Sequence, residues 1–76
     1  MRKGDYQIMD VGMRGIRFSI YQMEARQVLR FLRTLATEDQ VQAFVQEHHL
    51  TLFETTTHGT WPVRNYTRRG RGRTSR

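Results

Sequence analysis

Cysteine is absent from the chain, and proline occurs once, at Pro62. Without thiols there is no disulfide framework and no thiolate metal site, a composition that suits a reducing compartment. Long apolar runs are missing as well. No stretch approaches the roughly 20 consecutive apolar residues of a membrane span, and the basic opening "MRKGDYQIMDVGMRG" lacks the apolar run of a signal peptide. The expectation is a soluble, cytoplasmic protein with no membrane association. Length is scarce too, since 76 residues, 37% of them hydrophobic, make one small domain at most. At that size one core only just overcomes chain entropy, so a homodimer, another partner or a nucleic acid would add burial that the chain lacks alone.

Catalytic signatures are equally thin. "GMRG" (Gly12–Gly15) and "RRGRGR" (Arg68–Arg73) have neither the spacing nor the lysine of a phosphate loop. Ser19 and Ser75 sit in no nucleophile elbow, and the seven acids are scattered. A body this short has little room for a water-excluding pocket with its supporting shell. The expectation is a protein that is not an enzyme and holds no cofactor. Three histidines raise the question of a metal. His48 and His49 are adjacent and cannot share one helix face, His58 lies in a turn, and the cysteines common in structural zinc sites are missing. His48 reads as a half-buried packing residue beside Phe44 and Val45, and His49 as a helix end, where the dipole favours histidine.

What the chain does have is arginine, unevenly placed. Six of the 13 basic residues, namely Arg64, Arg68, Arg69, Arg71, Arg73 and Arg76, lie in the last thirteen positions. Residues 1–63 hold seven basic and seven acidic residues, so the net charge of +6 belongs to the C-terminal segment. A charge surplus confined to one appendage serves steering or docking on an anion. The segment "YTRRGRGRTSR" offers no apolar face to bury and is expected to be a disordered arm, residues 67–76, following a domain of residues 1–66. Arginine pairs bidentately with phosphate and stacks on rings, while glycine lets the backbone close on a polyanion. Trp61 and Tyr66 stand among Arg64, Arg68 and Arg69, an interleaving that suits single-stranded nucleic acid. Set against that, the one tryptophan of a small protein is expected in its core.

Periodicity supplies the fold expectation. "IRFSIY", Ile16–Tyr21, alternates strictly and predicts a strand with one face on a core; with "YQIMDV", Tyr6–Val11, and the glycines of "GMRG" it predicts a hairpin. In "QMEARQVLRFLRTLA", Gln22–Ala36, Ala25, Val28, Leu29, Leu32, Leu35 and Ala36 recur at steps of three and four, which predicts an amphipathic helix. Arg26, Arg30 and Arg33 would form a second stripe along it, either a solvated flank or a row of guanidinium groups that follows phosphates. "TEDQ" is a capping box, Thr37 with Gln40, that starts another helix running to about His48, with Val41, Phe44 and Val45 inward. "LTLFETTT" (Leu50–Thr57), a turn at His58-Gly59 and "TWPVRNY" predict a closing hairpin, in which Pro62 requires an edge or irregular strand. The predicted architecture is α+β, a small antiparallel sheet of two hairpins packed against one or two central helices. Its expected core is Ile16, Phe18, Ile20, Val28, Leu29, Leu32, Leu35, Val41, Phe44, Val45, Leu50 and Leu52.

By pattern, a strand followed by two helices is similar to the ribbon-helix-helix arrangement, with Arg17, Ser19 and Tyr21 on the base-facing side. The extra strands on both flanks and the lack of a glycine-type turn between the helices set that family aside. Composition and patterning together point to a small regulatory protein, transcription-related, that holds DNA or RNA through Arg64, Arg68, Arg69, Arg71, Arg73, Arg76 and Tyr66, with Arg26, Arg30 and Arg33 in support. The alternative is a small regulator or inhibitor, of the kind phages and plasmids carry, that docks on a host protein machine such as RNA polymerase. Its arm would then meet an acidic surface of that machine.

Overall fold

The computed structural model of the chain describes residues 2–68. Alternation sets its first strands. In β1 (Tyr6–Met13) and β2 (Ile16–Ala25), Tyr6, Ile8, Phe18 and Ile20 face one way and are buried, while Gln7, Met9, Ser19 and Tyr21 face the other. The two strands pair antiparallel with Ile8 opposite Ile20, and the turn between them uses Gly15 at φ 74°. A second turn, with Gln27 at φ 60°, returns the chain as β3 (Val28–Leu35). After Thr37 come the helix α1 (Glu38–Glu47), then β4 (Leu50–His58) and β5 (Trp61–Arg68). The five strands form one antiparallel sheet in the order β3-β2-β1-β5-β4.

That order dictates where α1 lies. The chain leaves the sheet at one edge, β3, and re-enters at the other, β4. Five strands about 4.8 Å apart span roughly 19 Å, and a ten-residue helix is about 15 Å long. With its short links the helix therefore bridges one face of the sheet. Val41 and Phe44 enter the core there with Tyr6, Ile8, Phe18, Ile20, Leu50 and Tyr66, and Leu32, Leu35 and Val45 pack around them. Tyr6 meets Phe44 edge-on, with ring centroids 5.7 Å apart.

The expected α+β layering is overturned. The fold is mostly β, with one short helix, and the segment Gln22–Ala36 is not helical. Its first residues extend β2, Arg26-Gln27 turn, and the rest is β3. The helical spacing arises from β-bulges. The β2–β3 register slips between Ile20 and Tyr21, so Arg33 opposes Ile20 while Phe31 opposes Tyr21, and Leu32 is the extra residue. Leu32 and Leu35, three apart, both pack on the core because the bulge shifts the period-two pattern by one. A second slip between Met23 and Ala25 blurs the far end. Val28, Phe31 and Thr34 are strand formers, and α1 supplies the cover that a second helix would have duplicated. The strand–helix–helix run is accordingly absent.

Other expectations on the core and strands also shift. Ile16, Val28, Leu29 and Leu52 are exposed, and Tyr6, Ile8 and Tyr66 are core residues in their place. Trp61 is 44% exposed rather than interior. Strand β5 is internal, between β1 and β4, yet Pro62 costs it no bond to β1. That pairing begins at Val63, opposite Met9, so Pro62 lies beyond the end of the ladder and has a partner, Thr57, on the β4 side alone. The later of the two expected helices is α1, and it matches its signature: Gln40 N donates to Thr37 Oγ1 at 3.2 Å, and Thr37 N donates back to Gln40 Oε1 at 3.3 Å.

On the face away from α1 the five strands present Met9, Tyr21, Met23, Leu29, Phe31, Val63 and Trp61, with Gln7, Asn65 and Thr56 among them. The amides there are engaged with one another. Gln7 Nε2 donates to Asn65 Oδ1 at 2.9 Å, and Asn65 Nδ2 donates to Thr56 Oγ1 and to the Glu54 carbonyl. Tyr21 and Phe31 meet edge-on at 5.7 Å.

Candidate nucleic-acid interface

Strand pairing decides which cations meet. Tyr66 opposes Tyr6, Tyr6 opposes Gln22, and Gln22 opposes Arg30, so the end of β5, the start of β1 and the β2–β3 turn share one end of the sheet. Buried Asp5 locks this end. Its Oδ1 accepts from Thr67 Oγ1 and its Oδ2 from the Arg2 backbone N–H, both at 2.8 Å, which holds Arg2 against the last residues of β5. Gly4 N donates to the Met23 carbonyl at 2.8 Å and fastens the same segment to β2. Arg2, Lys3, Arg26 and Arg68 are exposed here, and among the described residues none of them forms an ion pair. Arg30, alongside, reaches Glu24 at 3.7 Å with both side chains more than half exposed, a contact that solvent screens.

Two of the expected site residues have structural roles instead. Arg64 donates through both terminal nitrogens to Glu38, each at 2.8 Å, and lies 5.5 Å above the Phe18 ring. The paired hydrogen bonds hold the Glu38 carboxyl at about 2, below its ordinary 4.5, against an opposing push from burial, and Glu38 in turn raises Arg64. This fork fastens the first residue of α1 to β5 across the sheet. Tyr66 is buried in the core beneath the helix and has no stacking face to offer. Arg33 stands 6.0 Å from the Phe44 ring on the α1 side. Arg26, Arg30 and Arg33 thus form no helical row: Arg26 is in a turn, and the other two lie along an edge strand. Arg68 closes β5, opposite Leu50, and the expected domain boundary after Tyr66 falls within that strand. Arg69, Arg71, Arg73 and Arg76 lie outside the described residues.

Arg2 and Lys3 join the arm's root although no sequence pattern singles them out. The one available signal is that "MRK" precedes the strand that pairs with β5, and that pairing links residues about 60 apart in the chain. His48 packs as expected, its ring 4.2 Å from Phe44 and 5.9 Å from Tyr6. His58 lies across the sheet from it, beside Trp61, and among the described residues no three potential metal ligands gather. Among those residues, too, no helix is long and apolar enough to cross a membrane. No protein-family model, curated protein or solved structure matches this chain.

Proposed function

We infer that this chain is a small, non-enzymatic, nucleic-acid-associated regulatory protein of the cytoplasm, transcription-related in role, that holds phosphates with its basic arm and the sheet end from which the arm departs. One observation carries the reading. The register gathers Arg2, Lys3, Arg26 and Arg68, exposed and without ion pairs among the described residues, at the root of a segment that adds four more arginines. Eight cations within reach of one polyanion, on a body with no surplus charge elsewhere, is the electrostatic footprint of phosphate binding. The test is binding of the full chain to duplex and single-stranded probes across a salt series. Replacing Arg69, Arg71, Arg73 and Arg76 with Gln should lower the logarithmic salt slope by up to about 0.9 per arginine on duplex DNA, and by less on single strands. An unchanged slope, or no binding at low salt, overturns the reading.

A second reading, docking on a host protein machine such as RNA polymerase, draws on a different feature, the apolar face opposite α1. Contact through that face would survive both high salt and the arginine replacements, because buried apolar area is not screened.

A further inference from the structure

We propose that the face of the sheet opposite α1 is the interface of a symmetric homodimer. Its chemistry selects against nucleic acid first. Arg33 and Arg64 turn to the α1 side, as does Arg17, whose guanidinium lies 4.9 Å above the Phe18 ring. By register Arg30, opposite Gln22, and Arg68, opposite Leu50, share that side. By register no lysine or arginine of the described strands projects from the bare face; Glu54 does, and at the end of that face the buried Asp5 carboxylate, beside Arg2, is bonded to Thr67. A surface with aromatics but no cation lacks the half of the site that would neutralise phosphate. The surface that fits it is another that is apolar and almost uncharged, and this chain carries one.

Shape supports the same occupant. The sheet curls so that Leu29 on β3 and His58 on β4 border a single groove of about 310 Å³, floored by Gln7, Met9 and Val63. Phe31 and Trp61 are 53% and 44% exposed on this face. Under a two-fold axis, the Phe31 and Trp61 rings of each copy enter the groove of the other, which is the self-complementarity an isologous contact requires. The described residues extend 43 × 27 × 19 Å, so the broad face covers on the order of 1,000 Å², against about 800 Å² per partner in a standard stable interface. Gln7 Nε2, Asn65 Oδ1 and Asn65 Nδ2 are already bonded within the face, so closure strands none of these three atoms. The dimer would also give the sheet a second core layer, the other half of what a one-sided core lacks.

The experiment is sedimentation equilibrium of the full chain over a wide concentration range, without nucleic acid, so that its outcome does not depend on the phosphate-binding reading. Trp61 emission is followed on the same samples. The expected result is a rise from one chain mass to two with concentration, accompanied by a blue shift of Trp61. Phe31→Arg should weaken the dimer by about 30-fold or more, with the far-UV spectrum showing that the variant folds. Leu29→Gln, a milder change at an exposed position, reads the same surface independently. A single chain mass at every concentration overturns the proposal and leaves the face to a different protein. Doubling that neither variant disturbs overturns it too, and assigns the contact to another surface such as an edge strand.

Discussion

On the α1 side of the sheet, Phe18 and Ile20 lie under Val41 and Phe44, and Arg17 and Arg64 lie over the Phe18 ring with Asp10 and Glu38 as partners. On the other side, Tyr21 and Phe31 belong to the same pair of strands and meet no covering element. Arg17, Arg33 and Arg64 lie where an acid or a ring receives them, and the uncovered face is mainly apolar, with Glu54 as the charge its strands present. In the functions proposed above, phosphate binding would fall to the sheet end that holds Arg2, Lys3, Arg26 and Arg68, and protein contact to the bare face, so that neither would block the other.

The sharpest way to break that contrast is to treat the two faces alike. Phe18→Ala empties the centre of the covered face and should cost about 3–5 kcal/mol, most of the stability available to a domain this small. Phe31→Ala, at chain concentrations low enough to keep it single, should change stability by no more than about 0.5 kcal/mol. Urea unfolding followed by circular dichroism compares them directly. Equal losses would mean that the bare face is packed in the single chain, and the distinction between the faces would fail.

Local and distant information were not equally legible in the sequence. The Thr37–Gln40 capping box, the alternation of Ile16–Tyr21 and the strand-forming run after Leu50 act within a few residues, and each was readable where it stood. The segment after Gln22 was not, because a bulge is defined by the partner strand, and a slipped period of two imitates a period of 3.6. The same holds for the site. Composition exposes the arm's arginines directly. Nothing local distinguishes Arg64, which is bound to Glu38 across 26 positions, from Arg68, which is exposed and forms no ion pair among the described residues. Nor does local pattern bring Arg2 to the end of β5, since Asp5 does that only after β1 has taken the central place in the sheet.

A smaller change tests the cover rather than the core beneath it. Thr37→Ala removes the oxygen that receives Gln40 N, while Gln40 Oε1 still accepts from Ala36 N at 2.7 Å. The loss should be about 1 kcal/mol, read as a lower urea midpoint with an unchanged slope, and Thr37→Ser should restore most of it. Because α1 lies on one face alone, dimerisation through the other should be unaffected. A dimer weakened by Thr37→Ala would show that the two faces are coupled.

The smallest expected effect concerns the fork between α1 and β5, and its sign follows from the titration of Glu38. With its folded value at about 2 and its ordinary value at 4.5, the carboxylate form is favoured by folding. The contribution is therefore complete above pH 4.5 and fades as pH falls from there through about 2. The Glu38 side chain is 43% exposed, so water screens the pair and the contribution should stay below about 1 kcal/mol. The difference between the parent and Glu38→Gln is the informative quantity. Near about pH 6 the parent should have the higher urea midpoint, and towards about pH 2 the gap should close as the parent's own carboxyl takes up its proton. A gap that stays constant with pH would assign the loss to the shape of the amide rather than to charge. The fork would then hold α1 to β5 through hydrogen-bond geometry rather than through the charge of the carboxylate.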